Sequence, residues 1–173
     1  MTHVQIHFDA WLRDAFAAEG QSITMLSSLA KRIQNYPDLK TRVEDHLVET
    51  QAQQELLRGL LERTAGPPLI RTVAGRLSTA AQGISGMLAG DEIIKSAMST
   101  YIFEQGEIAS YQVLLAAADE LGDAEAEDVL SRIMEQEVAM AGWLHDHLDV
   151  LTRIYLMRDE RCLLYTSPSP RDS

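Results

Sequence analysis

The chain has 173 residues, a length that predicts one domain, and 46% of them are hydrophobic, which is enough for a core. Its formal net charge of −11 argues against nucleic acid or an anionic membrane surface as a partner. Aromatic residues make up only 6% and β-branched runs are missing, a composition that favours an all-α fold. Since the sequence shows neither a long uncharged apolar segment nor an apolar leader, we expect a cytoplasmic protein.

Residues 3–35 form the first predicted helix. Apolar residues recur along it at helical spacing, and Glu19 is the one carboxylate that interrupts this stripe. The helix should end before Pro37, which disfavours the helical conformation of the residue before it, and Asp38 can cap the helix that follows.

The second predicted helix covers about residues 38–64. Its two ends are apolar, but its middle is polar where core residues are expected, at His46, Glu49, Thr50, Gln53 and Gln54. Several consecutive polar residues at core positions indicate either a functional site or a solvent-facing segment.

A break at Gly66, Pro67 and Pro68 follows, and residues 65–90 are weakly patterned. We predict a long crossover here that contains one short helix. Such a connection between the second and third long helices is the ferritin-like variant of the four-helix bundle.

The third and fourth helices are predicted at residues 91–121 and 123–157, separated by a break at Gly122. An apolar stripe in each is interrupted by a carboxylate, Glu104 in the third helix and Glu137 in the fourth, and Glu107 follows Glu104 by one turn. Glu107 and Glu137 are equally far from Gly122 along the chain, so an antiparallel hairpin sets them at one level. Glu19 is farther from its turn than Glu49 is, a mismatch of roughly 4–5 Å of helix rise.

Carboxylates from four helices that meet inside a bundle would repel one another at low dielectric unless cations neutralise them. We therefore predict a site for two divalent ions, and oxygen ligands suit iron or manganese. The candidate ligands are Glu19, Glu49, Glu104, Glu107, Glu137 and His46.

Each candidate also has a simpler interpretation. A single Glu can be a solvated charge at the edge of the core, and His46 can be an ordinary hydrogen-bonded helix residue. Tyr111 is interpreted as a core residue, His145 and His147 as surface residues, and His3 and His7 receive no role. The coincidence of carboxylates in four helices favours the metal site.

Four segments resemble the YciE/YciF-type ferritin-like family of bacterial proteins: Ala18-Glu19, His46-Leu-Val-Glu49-Thr-Gln-Ala-Gln53, Glu104-Gln-Gly-Glu107-Ile-Ala-Ser-Tyr111 and Glu135-Gln-Glu137. They appear in the family's order and the similarity extends over about residues 8–156. The resemblance implies a homodimeric ferritin-like bundle with a rubrerythrin-like dinuclear site and a link to stress response.

Two positions depart from the family pattern. Members commonly have His after the first Glu of the third-helix motif and Asp four residues after the fourth-helix Glu, whereas this chain has Gln105 and Ala141. Two functions therefore stay open. The first is a di-iron or di-manganese protein that oxidises Fe(II) with oxygen or peroxide, and the second is a non-catalytic dimeric stress or interaction protein with a degenerate metal site.

The last segment, residues 161–173, contains the single cysteine, Cys162, and a run rich in Ser and Pro. It resembles translated adapter sequence, so we expect a bundle over residues 1–160 and a non-native or disordered tail over residues 161–173.

Overall fold

The computed structural model describes residues 2–65 and 93–166, and four long helices account for nearly all of them. They are α1 (His3–Arg32), α2 (Pro37–Ala65), α3 (Ile93–Leu121) and α4 (Ala124–Thr166). The described ranges contain no strand. The predicted all-α four-helix bundle is therefore confirmed.

Two apolar clusters lie at opposite ends of the bundle and show the direction of each helix. One cluster takes residues from the start of α1 and α4 and from the end of α2 and α3, including Phe8, Leu61, Ala118 and Leu130. The other takes the opposite ends, including Ile33, Leu39, Ala97 and Leu151. Hence α1 and α4 run in one direction, and α2 and α3 run in the other.

The closest packing joins α1 to α2 and α3 to α4, and α1 also packs on α3. Because α2 and α3 are parallel, the end of α2 and the start of α3 lie at opposite ends of the bundle, as in ferritin-like bundles. The short helix predicted within the crossover lies outside the described residues.

The α3–α4 turn has the predicted chemistry. Gly122 adopts a left-handed φ of 64°, which glycine tolerates without a side-chain clash. Asp123 caps α4, because its Oδ1 accepts a hydrogen bond from the backbone N–H of Ala126 at 3.1 Å. Its other carboxylate oxygen accepts from Arg63 at 2.6 Å, which ties the end of α2 to the turn.

Two details of the helices differ from the sequence prediction. The backbone of α4 continues to Thr166, past the predicted end at residue 157, because Pro168 is the first helix-breaking residue after Gly142. In α3, the apolar stripe can pass through Ala97 or Met98; Ala97 is buried but Met98 is 44% exposed, and Thr100, which the stripe leaves out, is buried. The boundary between bundle and tail at residue 160 stays a prediction.

Candidate metal centre

A layer of polar side chains lies between the two apolar clusters. Glu19, His46, Glu104 and Glu137 are completely buried, and Glu107 is 5% exposed. They come from all four helices, so this layer crosses the bundle. Ionised side chains are rarely buried unless they are paired or hold a metal, which makes this layer the candidate functional site.

His46 lies between carboxylates of α3 and α4. Its Nε2 is 3.1 Å from Glu104 Oε2 and 3.5 Å from Glu137 Oε2. Among the described residues these three offer ligand atoms that all lie within 4.8 Å of one another. One imidazole nitrogen and two carboxylate oxygens thus converge from three different helices.

Glu49 contacts the other nitrogen of the same ring. Its Oε2 accepts a hydrogen bond from His46 Nδ1 at 2.8 Å and from Arg42 at 3.3 Å. The side chain is 31% exposed, and Glu49 does not belong to the compact group. In this conformation it orients the imidazole, as carboxylates do for histidines that bind metals, and its predicted role as a ligand stays a prediction.

Glu19 and Glu107 adjoin the compact group on the side of α1. The Tyr111 hydroxyl donates a hydrogen bond to Glu19 Oε1. Both oxygens of Glu107, and Oε2 of Glu19, accept no hydrogen bond from the described part of the chain. A cavity of about 160 Å³ between α1 and α3 is lined by Glu107 and Tyr111, together with Gly106 and Ala18.

The burial of these groups shifts their pKa values strongly. Burial raises the pKa of Glu19 to about 8 and that of Glu104 to about 8, and raises the pKa of Glu107 well above its usual range. Burial lowers the pKa of His46, but its hydrogen bond to Glu104 and the nearby carboxylate of Glu137 outweigh this and raise it to about 10. For Glu137, burial raises the pKa, but the nearby imidazole of His46 outweighs this, so its pKa is lowered.

These shifts partly balance the charge of the metal-free site. The raised pKa of His46 and the lowered pKa of Glu137 favour an imidazolium beside a carboxylate, and the raised pKa of Glu104 favours its protonated form. A metal ion bound at the same atoms has to displace these protons, because imidazole and carboxylate bind metals in their deprotonated forms.

The donor set fits a divalent ion. Glu104 Oε1, Glu19 Oε2 and both Glu107 oxygens are buried without a hydrogen-bond donor among the described residues, and such groups are costly to leave unpaired. Carboxylates with one imidazole suit iron and manganese. The two positions that depart from the family pattern add no ligand, because Gln105 is exposed and Ala141 is buried without a polar side chain.

Two contacts of this site were not anticipated from sequence. Tyr111 was interpreted as a core residue, yet it hydrogen-bonds Glu19, and its position one turn after Glu107 was the available signal. Arg42 lies two turns before Glu49 on α2 and reaches its carboxylate. That spacing places both on one face of the helix, but sequence alone does not show that the arginine turns inward.

None of the described helices is both long enough and apolar enough to cross a membrane.

Comparisons with known proteins agree on one family. The family model described as Domain of unknown function (DUF892) matches residues 3–157. A protein of known crystal structure from Xanthomonas campestris pv. campestris is 32% identical, with a TM-score of 0.74 over 91% of this chain and 99% of its own.

Two further solved structures have the same fold. The E. coli stress protein YciF is 24% identical, with a TM-score of 0.70 over 86% of this chain and 96% of its own. YcfI from Rhodopseudomonas palustris is 25% identical, with a TM-score of 0.66 over 84% of this chain and 94% of its own. With the resemblance seen in the sequence thus confirmed, this chain belongs to the DUF892 family, of the YciE/YciF type.

Proposed function

We propose that this protein is a cytoplasmic stress-response protein that binds two divalent ions, iron or manganese, in the polar layer and oxidises Fe(II) with oxygen or peroxide. The observation that carries the proposal is the group of His46, Glu104 and Glu137, whose ligand atoms lie within 4.8 Å of one another. The role in stress rests on the family resemblance, and the E. coli stress protein supports the shared fold.

The residues of the layer have distinct roles in this proposal. His46, Glu104 and Glu137 would hold one ion, and Glu19 and Glu107 are the candidates for a second ion because they adjoin that group with unpaired oxygens. Glu49 either keeps His46 in orientation or turns inward as a further ligand. Bound iron would supply one-electron chemistry with oxygen or peroxide, while Tyr111 holds Glu19 in place.

The test is a calorimetric titration of metal-free protein with Fe(II) under anaerobic conditions, and with Mn(II). Glu137→Gln keeps the shape of the side chain and removes a charged ligand, so we expect at least about tenfold weaker binding. Glu135→Gln is the matched control, because Glu135 lies on the same helix but is exposed. Peroxide added to the Fe(II)-loaded wild type should then produce the absorbance of Fe(III).

Two results contradict the proposal. If Glu137→Gln bound metal as tightly as wild type, the metal site would not lie in the polar layer. Tight binding of Fe(II) without any absorbance change on adding peroxide would remove the oxidation step and leave a metal-binding protein.

A second candidate is a non-catalytic homodimer of the stress or interaction type with a degenerate site. It is favoured by the pairing of the His46 imidazolium with Glu137, since this pair neutralises charge in the layer without a metal. If this second function is correct, light scattering on protein treated with a chelator should give the mass of a dimer. Added iron should change neither this mass nor the absorbance.

A further inference from the structure

Two histidines near the start of α1 lie outside the polar layer. His3 and His7 are four residues apart, a spacing that places both side chains on one face of the helix. Both are exposed, and their Nε2 atoms are 3.1 Å apart. His7 is twelve residues before Glu19 in the same helix, which is roughly 18 Å of helix rise, so this pair is separate from the buried centre.

The separation of the two nitrogens is the separation that a metal ion requires. Imidazole nitrogens bind zinc at about 2.0–2.1 Å, so two of them at neighbouring corners of a coordination shell are about 2.9–3.4 Å apart. The observed 3.1 Å falls within this range. A hydrogen bond between two neutral rings has a similar length, so a measurement with a metal has to distinguish the two readings.

The surroundings of the pair favour a cation and provide a probe. His3 and His7 line a cavity that Trp11 and Glu120 also line, so α3 contributes an acidic residue to the cavity that holds the two rings from α1. The ring of His7 stacks on Trp11, with centroids 5.3 Å apart and planes 28° apart. A metal ion on His7 is therefore close to an indole whose fluorescence can report binding.

We propose that His3 and His7 form a second metal site at the end of the bundle, which takes a divalent ion with a preference for imidazole, such as Cu(II) or Zn(II), with Glu120 as a negative charge in the same cavity. Two imidazoles suit these ions, whereas the carboxylate-rich buried centre suits iron or manganese. The site depends on atoms that the buried centre does not use.

The test follows tryptophan fluorescence during titration of untagged protein with Cu(II). The chain has two tryptophans, so all variants carry Trp143→Phe, which leaves Trp11 as the reporter. We expect saturable quenching that excess Zn(II) reverses. His3→Asn and His7→Asn should each weaken the affinity for Cu(II) at least tenfold, and Glu120→Gln should weaken it less.

The controls separate this site from other copper sites. His145→Asn removes an exposed histidine of α4 and should leave quenching unchanged, as should Glu135→Gln at an exposed position of the same helix. If His7→Asn keeps the affinity while His3→Asn loses it, the two imidazoles do not bind copper as a pair and the proposal is wrong. Equal losses in His145→Asn would also overturn it.

A second measurement removes any dependence on the Trp143→Phe background. Calorimetric titration of the protein carrying both tryptophans with Zn(II) should show one bound ion fewer per chain in His3→Asn and in His7→Asn than in wild type, and the same number in Glu135→Gln. An unchanged number of bound ions in His7→Asn contradicts the proposal, and a number that falls only in Glu137→Gln assigns the ion to the buried centre instead.

Discussion

Glu104 and Glu107 are one turn apart on α3, yet their surroundings differ. Glu104 accepts a hydrogen bond from His46, whereas neither oxygen of Glu107 has a donor among the described residues. Burial raises the pKa of both carboxyls. Replacing Glu104 therefore breaks its hydrogen bond with His46. Replacing Glu107 instead removes a buried polar group that has no hydrogen-bond donor among the described residues.

This difference predicts opposite effects of the same substitution. In chelated protein, Glu104→Leu should lower the free energy of unfolding by about 1–3 kcal/mol, because His46 loses a buried hydrogen-bond partner. Glu107→Leu should leave it unchanged or higher, since it replaces an unpaired polar group by apolar bulk. Both variants should lose the stabilisation that added metal gives the wild type. Urea unfolding with and without metal measures all of these changes.

Glu135→Leu serves as the control for the added leucine, because Glu135 is exposed on α4. A metal response of Glu107→Leu equal to that of wild type would show that Glu107 is not a ligand. A chelated Glu104→Leu protein as stable as wild type would show that the contact with His46 contributes nothing to folding.

Sequence reasoning identified the burial of Glu19, Glu104 and Glu137 because each of these carboxylates interrupts an apolar stripe. It could not identify which site residues contact one another, since helix spacing gives the helix face on which a side chain lies but not its rotamer. Glu49 and His46 share a helix and were both predicted as ligands, but in the structure Glu49 contacts His46 from outside the compact group. Deciding this requires the positions of Arg42 and Glu104, which come from tertiary packing.

The start of α4 is held by a helix cap and by an ion-paired hydrogen bond to α2. Asp123 accepts a backbone hydrogen bond from Ala126 and an ion-paired hydrogen bond from Arg63, and the hydrogen bond from Arg63 lowers its pKa against the opposing effect of burial. One side chain thus caps α4 and connects it to the end of α2.

Asp123→Ala should therefore lower the free energy of unfolding by about 1–2 kcal/mol at neutral pH, the usual effect of losing a helix cap. Asp45→Ala, at an exposed position of α2, is the control and should have little effect. Because the pKa of Asp123 is lowered in the folded state, its contribution is present above its ordinary pKa and disappears in acid. A difference between the two variants that does not shrink as the pH falls below the ordinary pKa of 3.8 would contradict this assignment.

Helix boundaries and helix faces were predicted to different degrees. The turn at Gly122 and Asp123 was predictable because left-handed glycine and aspartate caps are local chemistry. The buried face of α3 was predicted less completely, since of the two alternatives Ala97 is buried and Met98 exposed, and Thr100 is buried although the apolar stripe leaves it out. An apolar side chain can lie on the surface, and a threonine can enter the core when its hydroxyl bonds the backbone, as Thr100 does to Ser96.

The molecule as a whole should lose stability as pH rises when metal is absent. The pKa values of Glu19 and Glu104 are about 8 in the folded state against 4.5 ordinarily, so the folded protein holds these protons more tightly than the unfolded chain. Their stabilising effect is complete below about pH 4.5 and is lost as pH rises through about 8. His46 acts in the same direction between 6.5 and about 10.

We therefore expect the Tm of chelated protein, followed by circular dichroism, to fall between about pH 6 and pH 9. Glu19→Gln removes one of the titrating groups and should reduce the slope. Bound metal holds the carboxylates ionised and should itself be displaced as pH falls, so the loaded protein should show a flatter or opposite trend. A Tm of chelated protein that rises over this range would contradict the protonation described for the polar layer.

The polar layer also fixes how the four helices are aligned along the bundle axis. Its members meet at one level between two apolar ends, so sliding any helix by one turn, about 5.4 Å, would bring leucines against carboxylates and carboxylates into an apolar cluster. The two apolar clusters supply most of the buried surface but can pack in many alignments of the helices. The polar layer can form in only one alignment. A descendant that no longer binds metal would therefore still be selected for polar residues at this level, and carboxylates retained there in a relative's sequence indicate preserved helix alignment as much as preserved metal chemistry.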